Sequence, residues 1–394
     1  MAAEQGFGIF KGVEYCTNKP IILKTNNGRI VKKLDGTGNN SDNLPWIAPG
    51  LVDLQINGYS GIDFNTLPLS FESVHKATEI LWKEGVTQYI PTVITNSPER
   101  IETILEIISK AIESDESRHT IAGIHLEGPF LSPEDGPRGA HDAAYIRPPE
   151  WEMFVKWQKA ARGHIRILTL SPEWQNSPNF IKKCVESGVK VSIGHTAANS
   201  EQISLAVKAG ASLSTHLGNG AHAKLPRHPN YIWDQLADDR LWAGMIGDGF
   251  HLPASVLKVI RKVKESHTIL VSDSVNLAGL SPGVYHTHVG GKVVLTPEGK
   301  LHLAESPDLL AGSVKSLRKG IENLINMGVC SFQEAWEMSS LHPSTFLGLQ
   351  TKDGLKVGSP ADFVLFNRNK NEIQVIQTIK NGEIVFNGLK VEKN

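Results

Sequence analysis

Four side chains with metal-binding or acid–base chemistry stand at the ends of short apolar runs. Glu127, His195 and Asp273 each close such a run, and His216 lies near the end of another. One carboxylate, two imidazoles and an open fourth position are typical of catalytic zinc sites. Because an unpaired charge beside a buried strand is heavily penalised, a cation is the simplest partner for these groups. The sequence therefore predicts one divalent metal ion held by Glu127, His195 and His216. Zinc is the preferred ion, and iron, manganese and cobalt share these ligands.

Asp273 has the chemistry of a general base beside that ion. A carboxylate opposite a metal can accept a proton from the attacking water and deliver it to the leaving group. Each residue also has a plainer interpretation: a histidine after a strand is often a hydrogen-bonded core or loop residue, and an aspartate often begins a helix. The three predicted metal ligands together with Asp273, rather than any one of them, favour a hydrolase.

Eight apolar runs rich in β-branched residues are the elements that must position these side chains. Stretches with helical spacing follow many of them, among them 71–84, 101–113, 201–209 and 253–264. Eight β-then-α units predict an α/β fold, a closed (β/α)₈ TIM barrel, whose active site lies at the carboxyl ends of the strands. The runs are 51–57, 87–93, 121–127, 165–170, 189–195, 211–217, 242–248 and 268–273.

The two ends of the chain have the pattern of antiparallel β structure instead. Asn27-Gly28 and Asn381-Gly382 each separate two apolar runs, and Asn-Gly supplies the two positive φ angles of a type I′ hairpin turn. We expect both termini to form one small β-sandwich domain. The predicted division is residues 1–49 and 348–394 for this domain and 50–347 for the barrel.

Composition excludes several classes of function. With 40 Lys+Arg against 41 Asp+Glu, the formal charge is −1, which gives no global field to recruit nucleic acid or an anionic membrane. Three dispersed cysteines argue against a disulfide framework and a thiolate metal site. Neither a signal-peptide pattern nor an apolar run of about 18 residues is visible. We expect a cytoplasmic protein that binds neither nucleic acid nor membrane.

Several short motifs occur in order along most of the chain, from the Pro49-to-Asp53 start of the barrel to the closing Gly358-to-Asp362 segment. Those between are His125-Leu126-Glu127-Gly128-Pro129-Phe130, Gly139-Ala140-His141, Gly194-His195-Thr196, Thr215-His216-Leu217, Asp248-Gly249-Phe250-His251, Ser272-Asp273 and Leu310-Ala311-Gly312-Ser313. Together they resemble the N-acetylglucosamine-6-phosphate deacetylase family of the amidohydrolase superfamily.

The resemblance implies a reaction and a metal count. The reaction is hydrolysis of the acetamide at C2 of a 6-phosphorylated amino sugar, without a covalent intermediate. The superfamily commonly has His-x-His after the first strand, as ligands of a second metal. Here Gln55-Ile56-Asn57 stands in that position, so we expect a single ion.

The resemblance also implies substrate contacts. Asn219 and Gly220 would present backbone N–H groups to the phosphate, and Arg227 would grip it as a planar fork. In the family the matching arginine comes from the neighbouring subunit, which implies a homodimer. His141 and His251 would hold sugar hydroxyls, the acyl carbonyl or the phosphate.

The sequence departs from the family pattern in loops at the barrel mouth, which we expect to set the choice of substrate. The segment 222–239 adds basic and aromatic residues, the loop 134–138 is longer, and Ser313-Val314-Lys315-Ser316 replaces a Ser-x-Thr-Met type loop. One alternative is deacetylation of another N-acetyl amino sugar, phosphorylated or not, or of an N-acyl amino acid. A catalytically silent sugar-binding barrel is the non-enzyme alternative, which has no need of Asp273.

Overall fold

The chain opens with strands of a sheet that is separate from the barrel. This computed structural model describes residues 7–36, 44–117, 119–288 and 290–388. The first strands are β1 (Gly8–Glu14), β2 (Pro20–Asn26), β3 (Arg29–Asp35) and β4 (Trp46–Pro49). Asn27 (φ 48°) and Gly28 (φ 74°) connect β2 to β3, which confirms the predicted hairpin.

Eight parallel strands then form the barrel. In sheet order they run β14-β13-β12-β11-β10-β9-β8-β5, and the N–H of Asp273 closes the ring on the carbonyl of Gln55 at 2.9 Å. The eight predicted strands are confirmed. The strands are β5 (Leu51–Ile56), β8 (Val86–Ile94), β9 (Ile124–Glu127), β10 (Ile165–Leu170), β11 (Lys190–Ile193), β12 (Leu213–Ser214), β13 (Trp242–Ile246) and β14 (Thr268–Val271); a small hairpin, β6 (Gly58–Tyr59) and β7 (Ile62–Asp63), follows β5.

Helices between the strands cover the outside of the barrel. Ser70 and Ser97 cap the first two helices by accepting hydrogen bonds from the N–H groups of Ser73 and Arg100, as serine does at helix starts. The predicted helical stretches correspond to the first, second, fifth and seventh of these helices, and the other three are additional to the prediction. The helices are α1 (Phe71–Lys83), α2 (Pro98–Ile112), α3 (Trp151–Ala160), α4 (Ser177–Glu186), α5 (Ser200–Lys208), α6 (Tyr231–Ala237) and α7 (Ala254–Lys264).

A four-stranded antiparallel sheet that the sequence analysis did not predict follows the last barrel strand. It consists of β15 (Gly283–Thr287), β16 (Gly291–Leu295), β17 (Leu301–Leu303) and β18 (Ser306–Leu310). We call these residues, 283–310, the flap sheet. Val293, Leu295 and Leu301 on this sheet are buried in the main hydrophobic core, which fixes the sheet to the barrel.

The C-terminal part returns to the first sheet. Helices α8 (Leu317–Asn326), α9 (Phe332–Met338) and α10 (Leu341–Leu347) precede β19 (Phe363–Asn369), β20 (Glu372–Lys380) and β21 (Glu383–Asn387). The resulting seven-stranded sheet has the order β21-β20-β19-β4-β1-β2-β3. Strands from both termini therefore form one structure separate from the barrel, as predicted for the small β-sandwich domain, and they pair here in a single sheet. Asn381 and Gly382 form its second Asn-Gly turn.

A buried apolar cluster joins the N-terminal strands of this sheet to its C-terminal strands. Phe10 of β1 packs edge-on against Phe363 of β19, with ring centroids 4.9 Å apart, and Leu23, Ile30 and Ile379 are buried in the same cluster. The exact domain boundaries at residues 49 and 347 stay a prediction. Within the described ranges, no helix is long and apolar enough to cross a membrane.

Candidate active site

The predicted ligands and Asp273 meet at the carboxyl end of the barrel. Glu127 is the last residue of β9. His195, His216 and Asp273 are each the second residue after a strand, beyond β11, β12 and β14. All three have positive φ angles, of 50°, 27° and 45°. Non-glycine residues seldom adopt this left-handed region, and those that do are concentrated at functional sites.

Glu127, His195 and His216 bring three potential ligand atoms together. Glu127 Oε1 lies 3.2 Å from the Nε2 atoms of both histidines, and these two nitrogens are 3.1 Å apart. Ligand atoms around one tetrahedral ion bound at ~2.0–2.1 Å are about 3.3–3.4 Å from one another. The three atoms therefore have the spacing that a single small ion requires.

The second nitrogen of His195 supports the same interpretation. His195 Nδ1 lies 2.8 Å from the carbonyl oxygen of Pro137, and because a carbonyl only accepts, Nδ1 carries the proton. The lone pair of the neutral ring is then on Nε2, which faces His216 and Glu127. Metal-bound histidines are commonly oriented in this way, and a cation is the partner that this cluster of lone pairs fits.

His141 is a second candidate for the third ligand. One potential ligand atom from each of Glu127, His141 and His195 lies within 4.8 Å of the others. The group that contains His216 has all three of its distances at 3.2 Å or less, so His216 also could be the third ligand. His141 Nδ1 lies 2.9 Å from the hydroxyl of Thr95. Burial lowers the pKa of His141 to about 3, which keeps its ring neutral beside the ion.

Gln55, near the end of β5, contacts Glu127 directly. Its Nε2 donates to both carboxylate oxygens of Glu127, each at 3.1 Å. The amide therefore places a neutral donor against Glu127. Burial raises the pKa of Glu127, but the adjoining imidazoles of His195 and His216 outweigh burial and hold this pKa well below its usual range.

Asp273 faces the cluster from the eighth strand. Asn57 Nδ2 donates to Asp273 Oδ1 at 2.8 Å. Burial raises the pKa of Asp273 to about 6, although the neighbouring imidazole of His216 opposes this shift. A carboxyl group with this pKa is within range of proton exchange near neutral pH.

The predicted substrate-binding residues divide into two groups. His141, Asn219, Gly220 and His251 line the same cavity as the metal cluster. The N–H of Asn219 already donates to the carbonyl of His216 at 2.9 Å. His251 Nδ1 lies 2.7 Å from Asp248 Oδ2.

Arg227 does not line this cavity. It is exposed, and none of residues 222–239 is among the residues that line the cavity in the described parts of this single chain. The unusual segment 222–239 therefore lies outside the mouth that this chain builds by itself.

The cavity above the cluster has a volume of about 410 Å³. Its outer wall contains residues that the sequence analysis missed, from the flap sheet and the β6–β7 hairpin. His288 Nδ1 lies 3.2 Å from Asp63 Oδ2 and 3.1 Å from Thr66 Oγ1, which links flap and hairpin across the rim. Leu301, Leu309 and Leu310 add apolar surface to the wall. A His–Asp contact between segments over 200 residues apart leaves no local signal in a single sequence.

Comparisons with known proteins agree with this architecture. The model of the Amidohydrolase family matches residues 46–385. The N-acetylglucosamine-6-phosphate deacetylase of Bacillus subtilis (strain 168) is 34% identical over 345 residues, which cover 86% of this chain and 84% of the relative. The human N-acetylglucosamine-6-phosphate deacetylase is 32% identical over 353 residues, covering 86% and 83%. The crystal structure of the Thermotoga maritima N-acetylglucosamine-6-phosphate deacetylase has a TM-score of 0.82 at 27% identity, covering 96% of this chain and 99% of that one.

Barrel, terminal sheet and the carboxylate–imidazole cluster define an amidohydrolase. The sequence identity to the relatives above identifies the narrower family. The chain belongs to the N-acetylglucosamine-6-phosphate deacetylase family.

Proposed function

We propose that the protein hydrolyses the acetamide of N-acetylglucosamine 6-phosphate to glucosamine 6-phosphate and acetate. The observation that carries the proposal is the cluster of Glu127, His195 and His216 facing Asp273 in one cavity, in a chain whose relatives are deacetylases of this name. Retention of Asp273 opposes the silent sugar-binding alternative, because a binding protein has no need of a proton acceptor beside a metal site.

Glu127, His195 and His216 would hold one divalent ion, with zinc as the preferred metal. When bound, such an ion supplies a Lewis acid and lowers the pKa of its water towards ~7. The donor of Gln55 against Glu127 supports a single ion, because it takes the place of a second metal ligand.

Asp273 would carry the proton. It takes one proton from the attacking water and delivers it to the substrate nitrogen as the C–N bond breaks, so that acetate and a free amine leave. Neutral His141, held by Thr95, is placed to contact the acyl carbonyl. His251, oriented by Asp248, is placed to hold a sugar hydroxyl.

The phosphate end would lie at Asn219 and Gly220. In the part of the chain that the structure describes, no hydrogen bond from the N–H of Gly220 is present, which leaves this donor available. A positive φ of 56° at Gly220 shapes the loop for close approach of an anion.

A homodimer would complete the phosphate site with Arg227 from the partner subunit. Two observations support this: Arg227 is exposed outside its own cavity, and the neighbouring helices α6 and α7 expose Trp233, Val256, Val259 and Val263. Apolar surface of this kind marks protein interfaces. We further propose a cytoplasmic location.

The test of the reaction combines elemental analysis with a deacetylation assay on N-acetylglucosamine with and without its 6-phosphate. We expect about one metal ion per chain, loss of activity on chelation, and a higher kcat/KM for the phosphorylated sugar. If the phosphate gave no gain in kcat/KM, the substrate assignment would be wrong.

A complementation experiment tests the shared arginine. Arg227→Ala and Asp273→Asn are each expected to be impaired alone. In a mixed dimer, the Arg227→Ala subunit keeps its Asp273 and receives Arg227 from its partner, so one site is complete. Restored activity after subunit exchange is expected, and mixtures that stay as inactive as the separate variants would contradict a shared site.

A further inference from the structure

Of the two polar atoms in the Asn57 side chain, one has a hydrogen-bond partner among the described residues and the other has none. Its Nδ2 donates to Asp273 Oδ1 at 2.8 Å. Since an ionised carboxylate only accepts hydrogen bonds, the amide nitrogen must face Asp273 and the oxygen must face away. That oxygen, Oδ1, is buried and has no hydrogen-bond partner among the described residues.

The backbone holds Asn57 in this position from both sides. Its N–H donates to the carbonyl of Ser274 at 2.8 Å, and its own carbonyl accepts from the N–H of Phe64 at 3.0 Å. Asn57 also lines the cavity above the metal cluster. A buried acceptor without a donor is costly, so a ligand that supplies a donor at this point gains the bond that the free protein lacks.

The substrate brings one donor to the same place. The nitrogen that receives the proton from Asp273 must come within hydrogen-bond distance of this carboxylate, and the carboxamide of Asn57 is bound to that carboxylate. The acetamide nitrogen carries a single N–H, which loses its water when it enters the cavity. Glu127, which lines the same cavity, is already engaged by Gln55 and the two histidines.

We propose that Asn57 is a catalytic residue whose Oδ1 accepts a hydrogen bond from the N–H of the substrate's scissile amide, while its Nδ2 fixes the orientation of Asp273. The inference rests on the proposed deacetylase function. During the reaction the C–N bond breaks, the water oxygen bonds to the acyl carbon, and the nitrogen gains the proton that Asp273 had taken from that water. The original N–H stays on the amine throughout, so its contact with Asn57 holds the leaving nitrogen beside Asp273.

An ester analogue separates the two roles of Asn57. 2-O-Acetylglucose 6-phosphate has an oxygen in place of the amide nitrogen and therefore no N–H. Loss of the contact with Asp273 lowers hydrolysis of both substrates, whereas loss of the acceptor lowers hydrolysis of the amide alone. For Asn57→Ala we expect kcat/KM to fall about tenfold more for the amide than for the ester, the order of one lost hydrogen bond.

Asn65 is a matched control on the same cavity wall. Its Nδ2 donates to the carbonyl of Thr92 at 3.0 Å, and its Oδ1 accepts from the N–H of Ile94 at 2.8 Å. Both polar atoms are thus used by the backbone, and Asn65→Ala is expected to lower both rates by the same factor. Asn57→Leu removes the same polar atoms while filling the space, and serves if the alanine variant fails to fold. Metal content and circular dichroism confirm that each variant is intact.

The outcomes distinguish this inference from the function on which it rests. Equal losses for amide and ester in an intact Asn57 variant would show that the residue acts through Asp273 alone, and the proposed substrate contact would be wrong. If the wild type hydrolysed neither compound, the proposed function would fail and the assignment of Asn57 with it. An amide-specific loss at Asn57 and none at Asn65 supports the proposal.

Discussion

Replacement of Gln55 by leucine should weaken metal binding without unfolding the barrel. Gln55 Nε2 contacts both oxygens of Glu127 at 3.1 Å, and both residues are buried. A hydrogen bond to a charged group contributes about 1.5–3 kcal/mol. This one also holds the carboxylate in the orientation that turns Oε1 towards His195 and His216. Leucine has a similar volume but no donor, so rotation of the carboxylate would compete with binding.

The expected loss of metal affinity can be taken from other proteins in which a residue hydrogen-bonded to a metal ligand is removed. Removal of such a residue typically reduces metal affinity by about 10- to 100-fold, which corresponds to ~1.4–2.7 kcal/mol. The assay is competition for the ion with a chelator of known affinity, on wild type and Gln55→Leu. We also expect kcat to recover in part at saturating metal, because Asp273 is untouched.

Gln235→Leu is the control for this substitution. Gln235 is also buried, but its Nε2 donates to the carbonyl of Tyr231 within α6 at 3.0 Å, away from the ion. The Gln235→Leu substitution should lower the stability of the protein and leave the Kd for the metal unchanged. A Kd within twofold of wild type for Gln55→Leu would refute the orienting role of the amide.

Two further substitutions test other parts of the structure. Asp273→Asn keeps the shape of the side chain but cannot carry a proton, so kcat should fall by about 10²–10⁴-fold with metal content unchanged; full activity would contradict the assigned role. Lys380→Met removes the partner of Asp362, whose Oδ2 lies 2.6 Å from Lys380 Nζ with both side chains at most 2% exposed. An unpaired buried charge costs about 3–5 kcal/mol, measurable as a shift in the denaturant midpoint. The double variant Lys380→Met/Asp362→Leu should recover most of the loss, and equal instability of single and double variants would argue against the pair.

The barrel was predictable from the sequence because parallel strands buried on both faces leave continuous apolar runs. All eight runs correspond to strands, and Asn27-Gly28 and Asn381-Gly382 identified the terminal hairpins through turn chemistry. The flap sheet was missed for the opposite reason. Its strands are only three to five residues long, and most of their residues are half-buried or exposed, so neither length nor alternation separates them from loops.

The residues of the candidate site could be predicted from the sequence, but the hydrogen bonds between them could not. Strand ends indicated Glu127, His195, His216 and Asp273, since function in this fold lies at the carboxyl ends. Gln55 had been interpreted only as a lost ligand, whereas in the structure it donates to Glu127 across 72 positions of sequence. A contact of that range depends on the closed barrel. Likewise, the segment 222–239 was expected to shape the mouth, but in this chain it lies outside the cavity lining.

Left-handed backbone at His195, His216 and Asp273 explains how these three side chains come together beyond the strand ends. A strand that ran on would send alternate side chains to opposite faces, whereas a left-handed residue two positions after the strand turns the chain at once. Each such residue costs about 1–2 kcal/mol. Neighbouring segments offset this strain: Ser132 donates to the carbonyl of His195, Asn219 to that of His216, and the N–H of Asp273 donates to Gln55. The loops that hold the ligands in place are therefore the same loops that line the cavity, so a change that alters substrate choice there also acts on the metal site.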